Sequence, residues 1–340
     1  MPVGTNATTK MVAPDRLEQT GSTMILANAY HLALRPGVSV VEHFGGLHRF
    51  MGWPGPILTD SGGFQVLSLA KLRRVDDDGV EFQSHVDGST IFLTPERATE
   101  IQNALGADII MCFDECVEYP VEHYAAKQAM DRTLAWAQRC RAAHPANGQA
   151  LFGIVQGSVF ADLRAECAQR LVEIGFPGYA VGGLSVGEGQ DLMNEVLDVT
   201  VPHLPADRPR YLMGVGTPED ILEAVERGVD MFDCVMPTRN ARGACAFSAG
   251  GKVRLRNLQY RLSDEPIDAA CDCYTCRNFT RGYLRHLFIV KEALAGILTS
   301  IHNIRFYQSL MEGIRAAVEQ QEFREFKSRF LRHYTSTDQE

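Results

Sequence analysis

The chain has 340 residues, 45% of them hydrophobic and 22% charged, with a formal net charge of −9. That balance is ordinary for a globular protein in water. It contains no run near the roughly 18 uncharged apolar residues of a membrane span, and its opening MPVGTNATTK has no leader pattern. The expectation is a cytoplasmic protein without a membrane partner. Overall acidity argues against nucleic-acid binding by bulk charge. Yet residues 239–285 carry nine Lys/Arg against four Asp/Glu, which is +5 against −14 for the rest. Such a local basic field suits phosphate binding at one place.

In chain order, short aliphatic runs recur and end in small or polar residues: STMILANAY (22–30), GPILTDSGG (55–63), ADIIMCFDE (107–115), ALFGIVQGS (150–158), GYAVGGLSVG (178–187), RYLMGVGTP (210–218) and VDMFDCVMP (229–237). Continuous apolar runs are the mark of buried parallel strands. Helical patterns alternate with them; TPERATEIQNALG and TPEDILEAVERG each open on a Thr cap followed by Pro and Glu and close on Gly. VEFQSHVDGSTIFLT alternates around Asp87-Gly88 and predicts a hairpin excursion. The pattern predicts βαβ units and an α/β TIM (β/α)8 barrel over residues 1–238, with seven full strands. The stub MPVG stands for a truncated first strand, and an open barrel edge is expected there.

Catalytic residues of such barrels sit where strands end. Asp60, Asp114 and Asp233 end three strands, Gln156 a fourth, and Gly182-Gly183 a fifth, so a barrel would bring them to one mouth. Any one such aspartate is more often a helix N-cap; three on separate strands point to a site. Ser61, Gly62 and Gly63 behind Asp60 would let backbone approach a substrate. The nine cysteines are expected as thiols or metal ligands rather than disulfides. CDCYTC supplies Cys271, Cys273 and Cys276, and His302 follows, a closed four-ligand set that predicts one structural zinc. A basic zinc-binding subdomain is expected over 239–302 and a helical segment packing on the barrel over 303–340. Cys112, Cys140, Cys167 and Cys245 are read as small apolar fillers.

These motifs (TDSGGFQV, FDEC, VQG, GYAVGGLSVGE, YLMGVG, MFDCVMPTRNAR and the Cys-x-Cys-x-x-Cys…His set) resemble the bacterial-type tRNA-guanine transglycosylases, or queuine tRNA-ribosyltransferases, from Met1 to about Tyr334. The resemblance implies exchange of the wobble guanine in tRNAs with GUN anticodons (Asp, Asn, His, Tyr) for 7-aminomethyl-7-deazaguanine, by a homodimer. It implies Asp233 as nucleophile on the ribose, Asp60 as general acid/base, and Asp114, Gln156 and the Gly183 backbone on the base edge. Leu184 would receive the aminomethyl group through its carbonyl, with Val186 and Cys116 at the pocket wall. Phe64 and Met213 would sandwich the base, and Arg239 and Arg242 would contact tRNA. Departures from the family pattern are the late start, Phe64 for Tyr, Ser158 for Gly, Ser185 for Ala, and ARGACAF. The competing reading is a non-catalytic tRNA-binding paralogous subunit, which would be expected to lose one of the three aspartates. A DNA-directed relative is countered by the PTRNAR motif, and a barrel glycosidase leaves the basic zinc segment unexplained.

Overall fold

The computed structural model describes residues 1–63 and 73–334. Strands β1 (Ile25–Asn28) and β2 (Ile57–Asp60) come first. The antiparallel excursion β3 (Arg73–Val75), β4 (Val80–Gln83) and β5 (Thr90–Leu93) follows. Next come β6 (Ile109–Met111), β7 (Ala150–Val155), β8 (Gly178–Val181), β9 (Arg210–Leu212) and β10 (Met231–Phe232), then the hairpin β11 (Cys245–Ser248) and β12 (Gly251–Arg254). Seven strands form one parallel sheet in the order β1-β2-β6-β7-β8-β9-β10, curled with helices on its outer face. All seven predicted barrel strands are present, and the excursion turns where Asp87-Gly88 placed it. The two predicted caps form: Thr94 Oγ1 accepts from Arg97 N–H at 3.2 Å and Thr217 Oγ1 from Asp220 N–H at 3.0 Å.

The edge expected to stay open is bridged. Pro2 pairs with Cys234 beyond β10 and Val3 with Leu26 of β1, both parallel. Leu26 N–H donates to the Pro2 carbonyl at 3.0 Å, and Gly4 N–H to the Leu26 carbonyl. Two residues suffice because each edge needs only a bridge, and Val3 adds its side chain to the barrel interior. That interior is Val3, Leu26, Leu58, Met111, Phe152, Ile154, Ala180 and Tyr211, all buried. Alternate residues such as Ile25, Ala27 and Ile57 point outward into the larger core between sheet and helices, as the two-residue period of a strand requires.

A separate core, including Ala246, Val253, Leu255, Ile267, Leu284 and Leu298, lies within residues 244–298. The helix Ala293–Glu319 runs from there back along the barrel, followed by Phe323–His333. Among the described residues no helix is long and apolar enough to cross a membrane.

Candidate active site

The strand ends converge. Asp60, Asp114, Cys116, Gln156, Gly182, Gly183, Leu184, Val186, Met213, Asp233 and Arg239 line one cavity of about 490 Å³ at the C-terminal mouth of the barrel. Arg242 lies one turn beyond Arg239 on the exposed side of the Met236–Arg242 helix, its guanidinium bonded to the Thr238 carbonyl at 2.9 Å. Phe64 lies outside the described residues.

Asp60 is nearly fully buried, and parallel pairing sets it beside Asn28 at the end of β1. Asn28 Nδ2 donates to its Oδ2, and Ala29 N–H to its Oδ1 at 3.0 Å. Burial pushes its pKa up to about 7; the two hydrogen bonds oppose this, and the charges of Asp233 and Asp114 add to it. Its neighbour Asp114 is also buried and shifted upward by burial, against hydrogen bonds from Gln156 Nε2 at 2.7 Å and Ser61 Oγ at 3.1 Å. Gln156 Oε1, buried, has no hydrogen-bond partner, so an acceptor waits beside the carboxyl. The small residues after Asp60 have a second reason besides access for a ligand. A Cβ on Gly63 would fall 2.6 Å from the Asp114 carbonyl oxygen and 2.7 Å from its Oδ1, and Gly62 sits at φ +85°.

Half-buried Asp233 is held through one oxygen. Oδ1 accepts from Tyr211 Oη at 2.5 Å and from Gly214 N–H at 2.8 Å, and Oδ2 takes part in neither bond. Burial first, then the Asp233 charge, push the Tyr211 hydroxyl well above its ordinary pKa, so it stays a donor.

The loop after β8 is held by Glu188, whose carboxylate accepts from the N–H groups of Ser185 and Val186. Ser185 adopts φ +60° there. Beneath this loop lies Arg164, fully buried, whose pKa burial lowers to about 10. Asn28, Tyr211, Arg164 and Glu188 were absent from the sequence reading. Asn28 alone had a usable signal, since it ends β1 as Asp60 ends β2. His31, also at the cavity, packs edge-on to Tyr30 with ring centres 5.3 Å apart. Two of the cysteines read as fillers do more: Cys140 Sγ accepts from Phe113 N–H and Cys167 Sγ from Gln156 N–H, each at 3.3 Å.

Cys271, Cys273, Cys276 and His302 gather with their ligand atoms all within 4.8 Å of one another, a set able to hold a metal ion. His302 Nε2 lies 2.6 Å from the Phe247 carbonyl. That contact places the proton on Nε2 and frees the Nδ1 lone pair, which faces the Cys273 and Cys276 sulfurs at 3.6 and 3.2 Å.

A barrel with carboxylates on three strand ends, and a cluster of three cysteines and one histidine able to hold a metal ion, is the class of enzyme that the geometry fits. The family model described as "TGT: Queuine tRNA-ribosyltransferase" matches residues 1–336. A queuine tRNA-ribosyltransferase of Caldanaerobacter subterraneus subsp. tengcongensis is 57% identical over 341 residues, covering 100% of this chain and 91% of that one. One of Thermoanaerobacter sp. is 55% identical, covering 98% and 89%, and one of Symbiobacterium thermophilum 56%, covering 100% and 85%. The chain belongs to the queuine tRNA-ribosyltransferase family, and its activity is that of a tRNA-guanine transglycosylase, a pentosyltransferase.

Proposed function

We propose that this enzyme exchanges the wobble guanine of tRNAs with GUN anticodons for 7-aminomethyl-7-deazaguanine, in the cytoplasm, through an ester between Asp233 and the ribose. The observation that carries the reading is the one cavity bounded by Asp60, Asp114, Gln156, Gly183 and Asp233, with Asp60 titrating near 7. Asp233 Oδ2 attacks the anomeric carbon, the bond from that carbon to guanine N9 breaks, and the departing base takes the Asp60 proton. The incoming base returns a proton to Asp60, its N9 attacks the anomeric carbon, and the ester to Asp233 breaks. Two inversions retain configuration. A group with pKa near the working pH serves as acid in one half and base in the other. The wobble nucleotide must leave its stack, which a single-stranded anticodon loop permits at low cost.

Asp114 and Gln156 grip the base edge together with the Gly183 backbone, and Met213 supports the base face. Glu188 accepts the Ser185 N–H, and a trans peptide then turns the Leu184 carbonyl the opposite way, which favours its role as acceptor for the aminomethyl group. Val186, stiff at its β-branch, and Cys116 close the wall against a larger substituent such as the ring of queuine. Arg239 and Arg242 hold the tRNA backbone. The Cys271, Cys273, Cys276 and His302 set fits one zinc ion with no open position, which would supply a fold-stabilising cross-link rather than chemistry. A homodimer accounts for the exposed apolar side chains between residues 258 and 294, among them Leu258 at 70% and Leu262 at 89% exposure.

The test loads unmodified tRNA-Asp with labelled guanine through the enzyme, then chases with either base. Label should enter at the wobble position and be displaced by 7-aminomethyl-7-deazaguanine at least about tenfold more efficiently than by queuine. No incorporation would reject the exchange reaction for this tRNA, and equal displacement would reject the base assignment.

A further inference from the structure

Arg164 stands on the outer helix Ala161–Ile174, yet its side chain is fully buried, and every one of its hydrogen bonds goes to a main-chain carbonyl. Nε donates to Ser158 at 2.6 Å. Nη1 donates to Val155 at 3.1 Å and Gly182 at 2.8 Å, and Nη2 to Gly183 at 3.4 Å. Burying a guanidinium without a bonded carboxylate is expensive, so the carbonyls it collects have to return something. They belong to the two loops that carry Gln156 and Gly183. Those loops contain backbone that L-residues rarely adopt: Gly157 at φ +128°, Ser158 at +50° and Gly183 at +65°. Of the three, Ser158 is not a glycine and is strained there, and strain of this kind persists only where the surroundings over-determine it. The approach is close as well. A Cβ on Gly157 would lie 3.0 Å from Arg164 N, and one on Gly183 would lie 2.5 Å from Gln156 Oε1.

We infer that Arg164 is a positioning residue for base recognition: its fork sets the spacing between the loops after β7 and β8, and so the geometry in which Gln156 and Gly183 meet the edge of the purine. It touches neither the base nor the ribose. A lysine there keeps the charge, but its three donors sit on one nitrogen at the end of a flexible stem in place of a planar fork, so it cannot set the spacing between the two loops as the guanidinium does. The inference rests on the reading that Gln156 and Gly183 grip the base, and Gln156→Ala tests that reading separately.

The experiment is steady-state exchange of labelled guanine into tRNA by Arg164→Lys, with tRNA affinity measured in parallel by filter binding. KM for free guanine should rise roughly tenfold or more while tRNA affinity changes less than about threefold, because phosphate contacts dominate the latter. A merely structural role would lower active enzyme without splitting the two. Unchanged guanine KM in folded Arg164→Lys overturns the inference, provided Gln156→Ala raises it; if Gln156→Ala does not, the pocket reading itself has failed. Should Arg164→Lys not fold, the unaltered protein decides. Among the described residues Arg164 is the one fully buried arginine, so in arginine-labelled protein its Nε–H is the slowest of that type to exchange with solvent. Saturating guanine should shift that signal and slow its exchange further; no change would overturn the inference.

Discussion

In the proposed mechanism Asp60 holds a proton in one half-reaction and lacks it in the other, and its surroundings suit both demands. Burial favours the acid, while Asn28 and the Ala29 N–H favour the carboxylate, and the result lies near 7 instead of 3.8. The same shift is a statement about stability. Between those two values the folded chain binds a proton that the unfolded chain has lost, so stability falls as pH rises through this window, and the full penalty stands above about 7. It is bounded at about 4 kcal/mol. Asp60→Asn has no such penalty. Its melting temperature relative to the parent should therefore climb between pH 5 and pH 8, with exchange activity abolished throughout. A difference independent of pH, measured by scanning calorimetry, would refute the placement of this titration. Tyr211 is the matching partner of Asp233: it occupies Oδ1, and in the proposed mechanism Oδ2 is the oxygen that attacks.

At the scale of elements, the helix that carries Arg239 and Arg242 begins three residues after Asp233, and the long helix Ala293–Glu319 anchors it. Fully buried Asn303, next to His302 of the cysteine-histidine cluster, donates to the carbonyls of Pro237 at 2.9 Å and Cys245 at 3.0 Å and accepts from Phe247 N–H at 3.0 Å. Cys273 caps the Tyr274–Asn278 helix through its sulfur. Asn303→Ala leaves three buried backbone groups short of partners and should cost roughly 3 kcal/mol. Removal of the metal by a strong chelator should lower the melting temperature and weaken tRNA binding in step, because ligand binding and folding are linked; tRNA affinity unchanged after complete metal loss would contradict the linkage. These elements differ in how readable they were. Strand-end carboxylates and closely spaced cysteines announce themselves because period and spacing are local. Arg164, Asn303 and Glu188 do not, because a polar residue in a helix or loop looks solvated until the fold buries it against another element's backbone. The open edge was misjudged for the same reason: two residues can bridge a barrel without any pattern of their own.

For the whole molecule, the consequence of the fold is separation of labour. The net charge is −9, while residues 239–285, whose Arg239 lines the cavity, carry an excess of +5. Binding to tRNA should therefore weaken steeply as salt rises despite the net charge, and Arg242→Ala should lower affinity and reduce the slope of log K against log salt by about 1. A slope unaltered in Arg242→Ala would remove that residue from the phosphate contacts. Closure of the barrel by Pro2 and Val3 fixes β1 against β10, which holds Asn28 and Asp60 on one side of the mouth to Asp233 on the other. The proposed reaction would leave a trace on Asp233 that no other assignment of the three aspartates would leave. Protein denatured during turnover with tRNA, then digested with nuclease and protease and examined by mass spectrometry, should carry a base-free ribosyl ester on Asp233 and on no other carboxylate. Asp233→Ala should lose the ester and the exchange together. An ester mapped to Asp60 or Asp114, or guanine exchange persisting in Asp233→Ala, would contradict the account.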